Sequence, residues 1–163
     1  MSVAYIGIGS NLDDPPAQVR SAMDAIDRAD GLEVIARSSL YSSPPMGPPD
    51  QPHYINAAIA VHTNLSSLEL LESLQAIEQA HGRTRDGIHW GPRTLDLDLL
   101  LHGDEHIDGP RLRLPHPGLR DRDFVILPLF EIAPGLILPD GEPLRQCAQR
   151  FATSASAVRL EDA

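Results

Sequence analysis

Apolar residues along this chain fall into two rhythms, a two-residue alternation and a helical spacing, and together they order most of it. Residues 3–8 are apolar on both faces and read as a buried strand. Asp13 or Asp14 can cap a helix that takes Pro15 and Pro16 in its first turn. Val19, Ala22, Met23, Ile26 and Ala29 then keep helical spacing until Gly31 ends the element. Residues 32–42 and 53–63 read as a second and third strand. Ser66 or Ser67 caps a second helix with Leu70, Leu71, Leu74 and Ile77 on one stripe, closed by Gly82. Residues 94–102 form a fourth strand. The order β-α-β-β-α-β predicts an α+β fold, with a ferredoxin-like core and helices on one side of a mostly antiparallel sheet. After Gly103 the pattern adds a hairpin near 107–114, a helix near 119–132 and a last helix near 142–151.

Strand alternation separates core from chemistry. In the fourth strand Leu95, Leu97, Leu99 and Leu101 share one face; Thr94, Asp96, Asp98, Leu100 and His102 share the other. In the third, Ile55, Ala57, Ile59 and Val61 oppose Tyr54, Asn56, Ala58, Ala60 and His62. A sheet covered on one side leaves these polar positions facing a cleft. Asp96 and Asp98 are two residues apart, so their Cα atoms lie roughly 6.6 Å apart. At that distance two carboxylates repel by about 2–3 kcal/mol at an effective dielectric near 20. A magnesium ion offsets this, since it takes one or two carboxylates plus phosphate oxygens. A solvated acidic face is the other reading of Asp-x-Asp alone.

Charge narrows the chemistry. The 163 residues carry a net charge of −10, which argues against a general nucleic-acid binder. All 13 basic residues are arginine, so there is no Walker lysine and no Schiff-base chemistry. Residues 81–93 nevertheless hold Arg83, Arg85 and Arg93 against the single acid Asp86, with Gly82, Gly87 and Gly91 between them. Guanidinium forks match phosphate oxygens, and a glycine-punctuated loop suits a closing lid. Arg93 directly precedes Thr94-Leu95-Asp96, so an anion clamp and two metal-type carboxylates adjoin, as phosphoryl transfer requires. Gln75 and Glu78 lie one turn apart beside the helical stripe, available to ATP or to solvent. His116 stands between Pro115 and Pro117, followed by Arg120 and Arg122. The proline-rich stretch 43–52 is a stiff loop between two strands. Ile8-Gly-Ser-Asn11 lacks the third glycine of a dinucleotide fingerprint, so Gly7 and Gly9 read as close-packing or turn glycines.

Seven stretches, in order along nearly the whole chain, resemble the 6-hydroxymethyl-7,8-dihydropterin pyrophosphokinases. They are Tyr5-Ile-Gly-Ile-Gly-Ser-Asn-Leu12, Ser43-Pro-Pro-Met-Gly-Pro48, Gln51-Pro-His-Tyr-Ile-Asn-Ala-Ala58, Gly82-Arg-Thr-Arg85, Trp90-Gly-Pro-Arg-Thr-Leu-Asp-Leu-Asp98, Pro115-His-Pro117 and Pro128-Leu-Phe-Glu-Ile-Ala-Pro134. The resemblance implies attack of a pterin hydroxymethyl oxygen on the β-phosphorus of ATP, with AMP leaving. It implies two magnesium ions on Asp96 and Asp98, with Arg83, Arg85 and Arg93 on the phosphates and Trp90 on the closing loop. Gln75, Glu78, Leu99, His116 and Arg122 would complete the ATP site. Tyr54 and Phe124 would sandwich the pterin, Asn56 would bond its edge, and backbone near Ser43, Pro44 and Met46 would read the rest. Where the family often has further basic residues, this chain has Asp86, Gly87, Ile88 and His89.

The expectation is one domain over residues 1–163, cytoplasmic and monomeric. Its substrates would be ATP and the pterin, with no nucleic-acid or membrane partner. The single cysteine, Cys147, fits a reducing compartment, and no apolar run nears the ~18 residues of a membrane span. Two readings compete: a metal-dependent phosphohydrolase or nuclease built on the aspartates, and a ligand-sensing module of the same fold.

Overall fold

The computed structural model describes residues 2–11, 14–44, 53–81 and 95–160. The elements run β1 (Ser2–Ser10), α1 (Pro15–Arg28), β2 (Leu32–Arg37), β3 (Tyr41–Ser43), β4 (Tyr54–Thr63), α2 (Ser67–Ala80) and β5 (Asp96–His102). They continue with β6 (Ile107–Asp108), β7 (Arg113–Leu114), α3 (Asp123–Ile132), α4 (Leu144–Gln149) and β8 (Val158–Arg159). The main sheet runs β5-β1-β4-β3-β8, with β2 also on β4, and every pairing in it is antiparallel. β6 and β7 form a separate two-stranded hairpin.

The helices form where the periodicity places them, but their ends differ. Ser66 caps α2 in a full capping box: its hydroxyl accepts the Glu69 N–H, and the Glu69 carboxylate accepts the Ser66 N–H. Asp14 precedes α1 without any side-chain cap bond and sits at φ 62°, in the left-handed region. The expected Asp cap is therefore not made there, and Asp13 lies outside the described residues. α1 stops at Arg28, and Gly31 turns the chain at φ 81°. α2 stops at Ala80, and Gly82 is outside the described residues. The third helix begins at Asp123 rather than near 119, and the fourth spans only Leu144–Gln149.

Residues 32–42 are two strands, not one. Arg37 pairs Ile59 and Tyr41 pairs Asn56, so three residues, 38–40, span what β4 crosses with Ala57 and Ala58. Ser38 makes up the lost ladder: its N–H donates to Ala58 O, and its hydroxyl accepts the Ala58 N–H. A bulge re-aims a strand in this way.

A second bulge alters the fourth-strand reading. Tyr5 pairs Leu101 and Ile6 pairs Leu99, leaving Leu100 without a partner on β1. Beyond it the faces exchange. Leu95, Leu97 and Leu99 join the core under α1 and α2, as expected, but Leu101 packs with Leu100 in the opposite core. His102 turns to the helix side, where its Nε2–H donates to Leu65 O at 3.0 Å.

The expectation of helices on one side holds for α1 and α2 only. Val19, Ala22, Met23, Ile26, Leu70 and Leu74 pack on Ala4, Ile6, Ile8, Ile59 and Val61. On the opposite face α3 and α4 bring Val125, Ile126, Leu129, Leu144 and Cys147 onto Ala58, Leu100 and Leu101. That second face is thus partly covered, and its polar part lies toward Gly9, Asn56 and Asp96.

The two cap sites separate by stability. Ser66→Ala should cost about 1 kcal/mol, whereas Asp14→Gly should be neutral or stabilise by up to about 1 kcal/mol by relieving the positive φ. Urea unfolding measures both, and a destabilising Asp14→Gly would contradict the backbone assignment.

Candidate functional site

The central strand β1 assembles the site by lacking side chains. Gly9 pairs Asn56 on one side and Asp96 on the other, and Gly7 pairs Ala58 and Asp98. Directly paired residues point to the same face, so Asn56 and Asp96 stand on one face with a bare backbone floor between them. Two strand spacings put their Cα atoms roughly 10 Å apart. A Cβ on Gly9 would lie 3.1 Å from Asn56 Oδ1 and 3.7 Å from Tyr54 Cδ1. This is the close-approach glycine, and Tyr54 and Asn56 are its neighbours.

At one end of this floor Asn56 is 5% exposed, and its Nδ2 donates to Ser43 Oγ at 2.6 Å. That bond turns Oδ1 toward Gly9 and leaves it as an acceptor beside Tyr54. Ser43 is buried on β3 and Pro44 is exposed just beyond it. Met46 lies outside the described residues.

At the other end Asp96 and Asp98 share a face, as their alternation with buried Leu97 requires. His116 Nε2 lies 3.9 Å from Asp98 Oδ1, an electrostatic neighbour rather than a hydrogen bond. The bulge places it: His116 N–H donates to Leu100 O at 3.0 Å. Its Nδ1 accepts the Gly118 N–H at 3.1 Å, so in the neutral ring the proton sits on Nε2, on the Asp98 side. Gly118 has a second use. A Cβ there would come within 2.6 Å of Arg122 Nε, so the missing side chain makes room for that guanidinium. Arg122 also stands 6.0 Å over the Phe124 ring at the start of α3.

Burial lowers the His116 pKa below its ordinary 6.5, and the Arg122 charge lowers it further, while Asp96 opposes both. The imidazole therefore responds to an aspartate and an arginine that the sequence reading assigned to one site.

Glu78 differs from its expected place. It is 4% exposed, within the buried stripe of α2, and its Oε2 accepts the Leu97 N–H at 2.7 Å. It braces the strand segment between the two aspartates, while Gln75 is only partly buried and Leu99 lies in the core. Arg83, Arg85, Trp90 and Arg93 lie outside the described residues, as do Asp86, Gly87, Ile88 and His89. Three groups escaped the sequence reading. Gly118 has no pattern, and Asp123 stands between the assigned Arg122 and Phe124 but outside every matching stretch, whereas Glu131 lies inside the Pro128–Pro134 stretch.

Among the described residues no cluster of three or more His, Cys, Asp or Glu forms a closed metal cage. Two carboxylates on one face fit magnesium, which completes its octahedron with phosphate oxygens and water.

The family model for 7,8-dihydro-6-hydroxymethylpterin-pyrophosphokinase (HPPK) matches residues 5–134. A Pseudomonas aeruginosa protein named 2-amino-4-hydroxy-6-hydroxymethyldihydropteridine pyrophosphokinase is 50% identical over 140 residues, covering 86% of each chain. A Haemophilus influenzae protein of the same name is 47% identical over 152 residues, covering 93% of this chain and 94% of the relative. A crystal structure of wild-type Plasmodium falciparum HPPK-DHPS with pteroate superposes with a TM-score of 0.75 at 13% identity. It covers 93% of this chain, and this chain spans 42% of that longer one. At such identity the likeness shows the fold alone.

The titration of His116 carries a signed test. Folding lowers its pKa, so the unfolded chain binds that proton more readily. The contribution to stability is full above 6.5 and is lost as pH falls through the lower folded pKa. In the metal-free protein, the His116 ring should titrate below 6.5 by NMR. Arg122→Ala should move the midpoint up and Asp96→Asn should move it down; shifts of the opposite sign would break the assigned cluster.

Proposed function

We propose a working of this cleft residue by residue, given that the chain belongs to the 7,8-dihydro-6-hydroxymethylpterin-pyrophosphokinase family. The protein is an ATP-dependent diphosphotransferase of folate biosynthesis. It moves pyrophosphate from ATP to the hydroxymethyl group of 6-hydroxymethyl-7,8-dihydropterin, giving AMP and the pterin diphosphate. The hydrolase and sensor alternatives give way to that membership.

In our reading the Asn56 end of the floor takes the pterin and the Asp96 end takes the triphosphate. Asn56 Oδ1, held outward by Ser43, accepts an N–H from the heterocycle edge. Tyr54 and Phe124 supply the flat apolar walls, and backbone near Pro44 and Met46 meets the remaining edge. The roughly 10 Å between Asn56 and Asp96 spans a bicyclic ring and its hydroxymethyl arm. The arm's oxygen then reaches the β-phosphorus; the new O–P bond forms as the bond from that phosphorus to the AMP oxygen breaks.

Asp96 and Asp98 would hold magnesium, which when bound neutralises the triphosphate and polarises its phosphorus–oxygen bonds. Glu78 keeps the strand that carries both aspartates straight through Leu97 N–H. Neutral His116 presents Nε2–H as a donor to a phosphate oxygen, with the Arg122 charge beside it. Arg83, Arg85 and Arg93 would grip the phosphates, Trp90 would sit on the closing loop, and Gln75 and Leu99 would face the nucleotide.

The order β5-β1-β4-β2 supports a ferredoxin-like core. Among the described residues no helix is long and apolar enough to cross a membrane.

One observation carries the reading: glycines 7 and 9 set Asp98, Asp96 and Asn56 around one open strand. Turnover should require magnesium and release AMP with no free phosphate. Asp96→Asn and Asp98→Asn should each lower kcat by at least about 10³-fold while circular dichroism stays unchanged. AMP release at near wild-type rates from either folded variant would remove the metal assignment.

A further inference from the structure

Residues 156–160 join two parts of the pterin end of the cleft that are otherwise distant along the chain. Asp123, the first residue of α3, is 8% exposed. Its Oδ2 accepts three donors from this segment: Ser156 N–H at 2.5 Å, Ala157 N–H at 2.9 Å and the Ser156 hydroxyl at 3.2 Å. A carboxylate taking backbone N–H groups is among the stronger hydrogen-bonded arrangements in a protein interior. The next residues form β8 on the free edge of β3, pairing Val158 with Ser42 and Arg159 with Tyr41. Leu160 N–H extends the contact to Leu40 O at 2.8 Å.

β3 has only three residues. Such a strand cannot hold its place by one ladder, and it sits just beyond the break at 38–40. It is fixed from several sides. β4 pairs it on one edge and β8 on the other. Glu131, eight residues after Asp123 on α3, accepts Ser39 N–H, the Ser39 hydroxyl and the Tyr41 hydroxyl. β3 ends in Ser43, whose hydroxyl orients the Asn56 amide. The start of α3 carries Arg122, its N-cap residue, and Phe124 on either side of Asp123.

We infer that Asp123 is a positioning residue for pterin recognition: by pinning residues 156–160 it holds β3 in register, and through β3 it holds Ser43 and Asn56 relative to Phe124. The inference rests on the reading of Asn56 and Phe124 as pterin contacts. The carboxylate itself touches no substrate. Losing it frees the strap, lets β3 shift on β4, and blurs the distance between the amide and the aromatic wall, to which affinity is sensitive.

The test uses the full chain with magnesium: binding is measured with 6-hydroxymethylpterin and a non-hydrolysable ATP analogue, and kcat and KM with ATP and 6-hydroxymethyl-7,8-dihydropterin. Asp123→Ala should raise the pterin dissociation constant and KM about tenfold while kcat at saturation and analogue affinity change by less than about threefold. Asp123→Asn keeps an acceptor oxygen and should recover part of the loss; it also serves if the alanine variant does not fold. Phe124→Ala is the control. If it leaves pterin affinity unchanged, the reading of the cleft fails, and this inference with it. If Phe124→Ala weakens pterin binding but both Asp123 variants bind it within twofold of wild type, even with a lowered Tm, then Asp123 serves stability alone and the inference is overturned.

Discussion

The register of β1 between β4 and β5 is the constraint on which the rest depends. A slip of one residue would carry Gly7 and Gly9 away from Asp98, Asp96 and Asn56 and turn every side chain to the other face. The register is held by Ala4, Ile6 and Ile8, which are buried against the two helices and have no tolerable place in solvent. Burial of three apolar residues on one face thus fixes, at no further cost, a glycine floor on the other. The open face around Gly7 and Gly9 is a by-product of where the core needs its aliphatic side chains.

The bulge at Leu100 extends the same logic. It leaves Asp96 and Asp98 in unbroken alternation, then reverses the strand's faces so that Leu100 and Leu101 both enter the second core. It also offers Leu100 O to His116 N–H, which brings the 115–118 loop beside Asp98. One irregularity therefore closes the second core and delivers the imidazole. Two regular strands could not do both, because alternation would send Leu101 to the first core and keep His102 beside the aspartates.

Much of this was legible in the sequence because it follows from period and composition. The pairing of Asp96 with Asp98, the common face of Tyr54 and Asn56, and an α2 cap at Ser66 or Ser67 each follow from local rules. What stayed illegible depends on distant partners. Whether Glu78 faces solvent or a backbone amide is set by Leu97, nineteen residues away. The break after Arg37 depends on Ala58 accepting and donating to Ser38. The second layer of helices was foreseen as elements, but not their side of the sheet, since an apolar helix reads alike against either face. Gly118 left no trace, because its role is the volume it leaves for Arg122.

The acidic composition has a structural use that a net charge of −10 conceals. Several carboxylates accept backbone N–H groups across long sequence gaps: Glu78 from Leu97, Asp123 from Ser156 and Ala157, and Glu131 from Ser39. Each takes a donor that an irregular strand edge would otherwise leave unpaired, which matters most for the buried ones. A chain with short strands and two such interruptions, at 38–40 and at Leu100, needs such staples. Asp96 and Asp98, by contrast, are partly exposed on the open face of β5, where His116 stands beside Asp98. The contrast between acids tied to backbone and acids facing a cleft separates structure from chemistry here better than charge alone does.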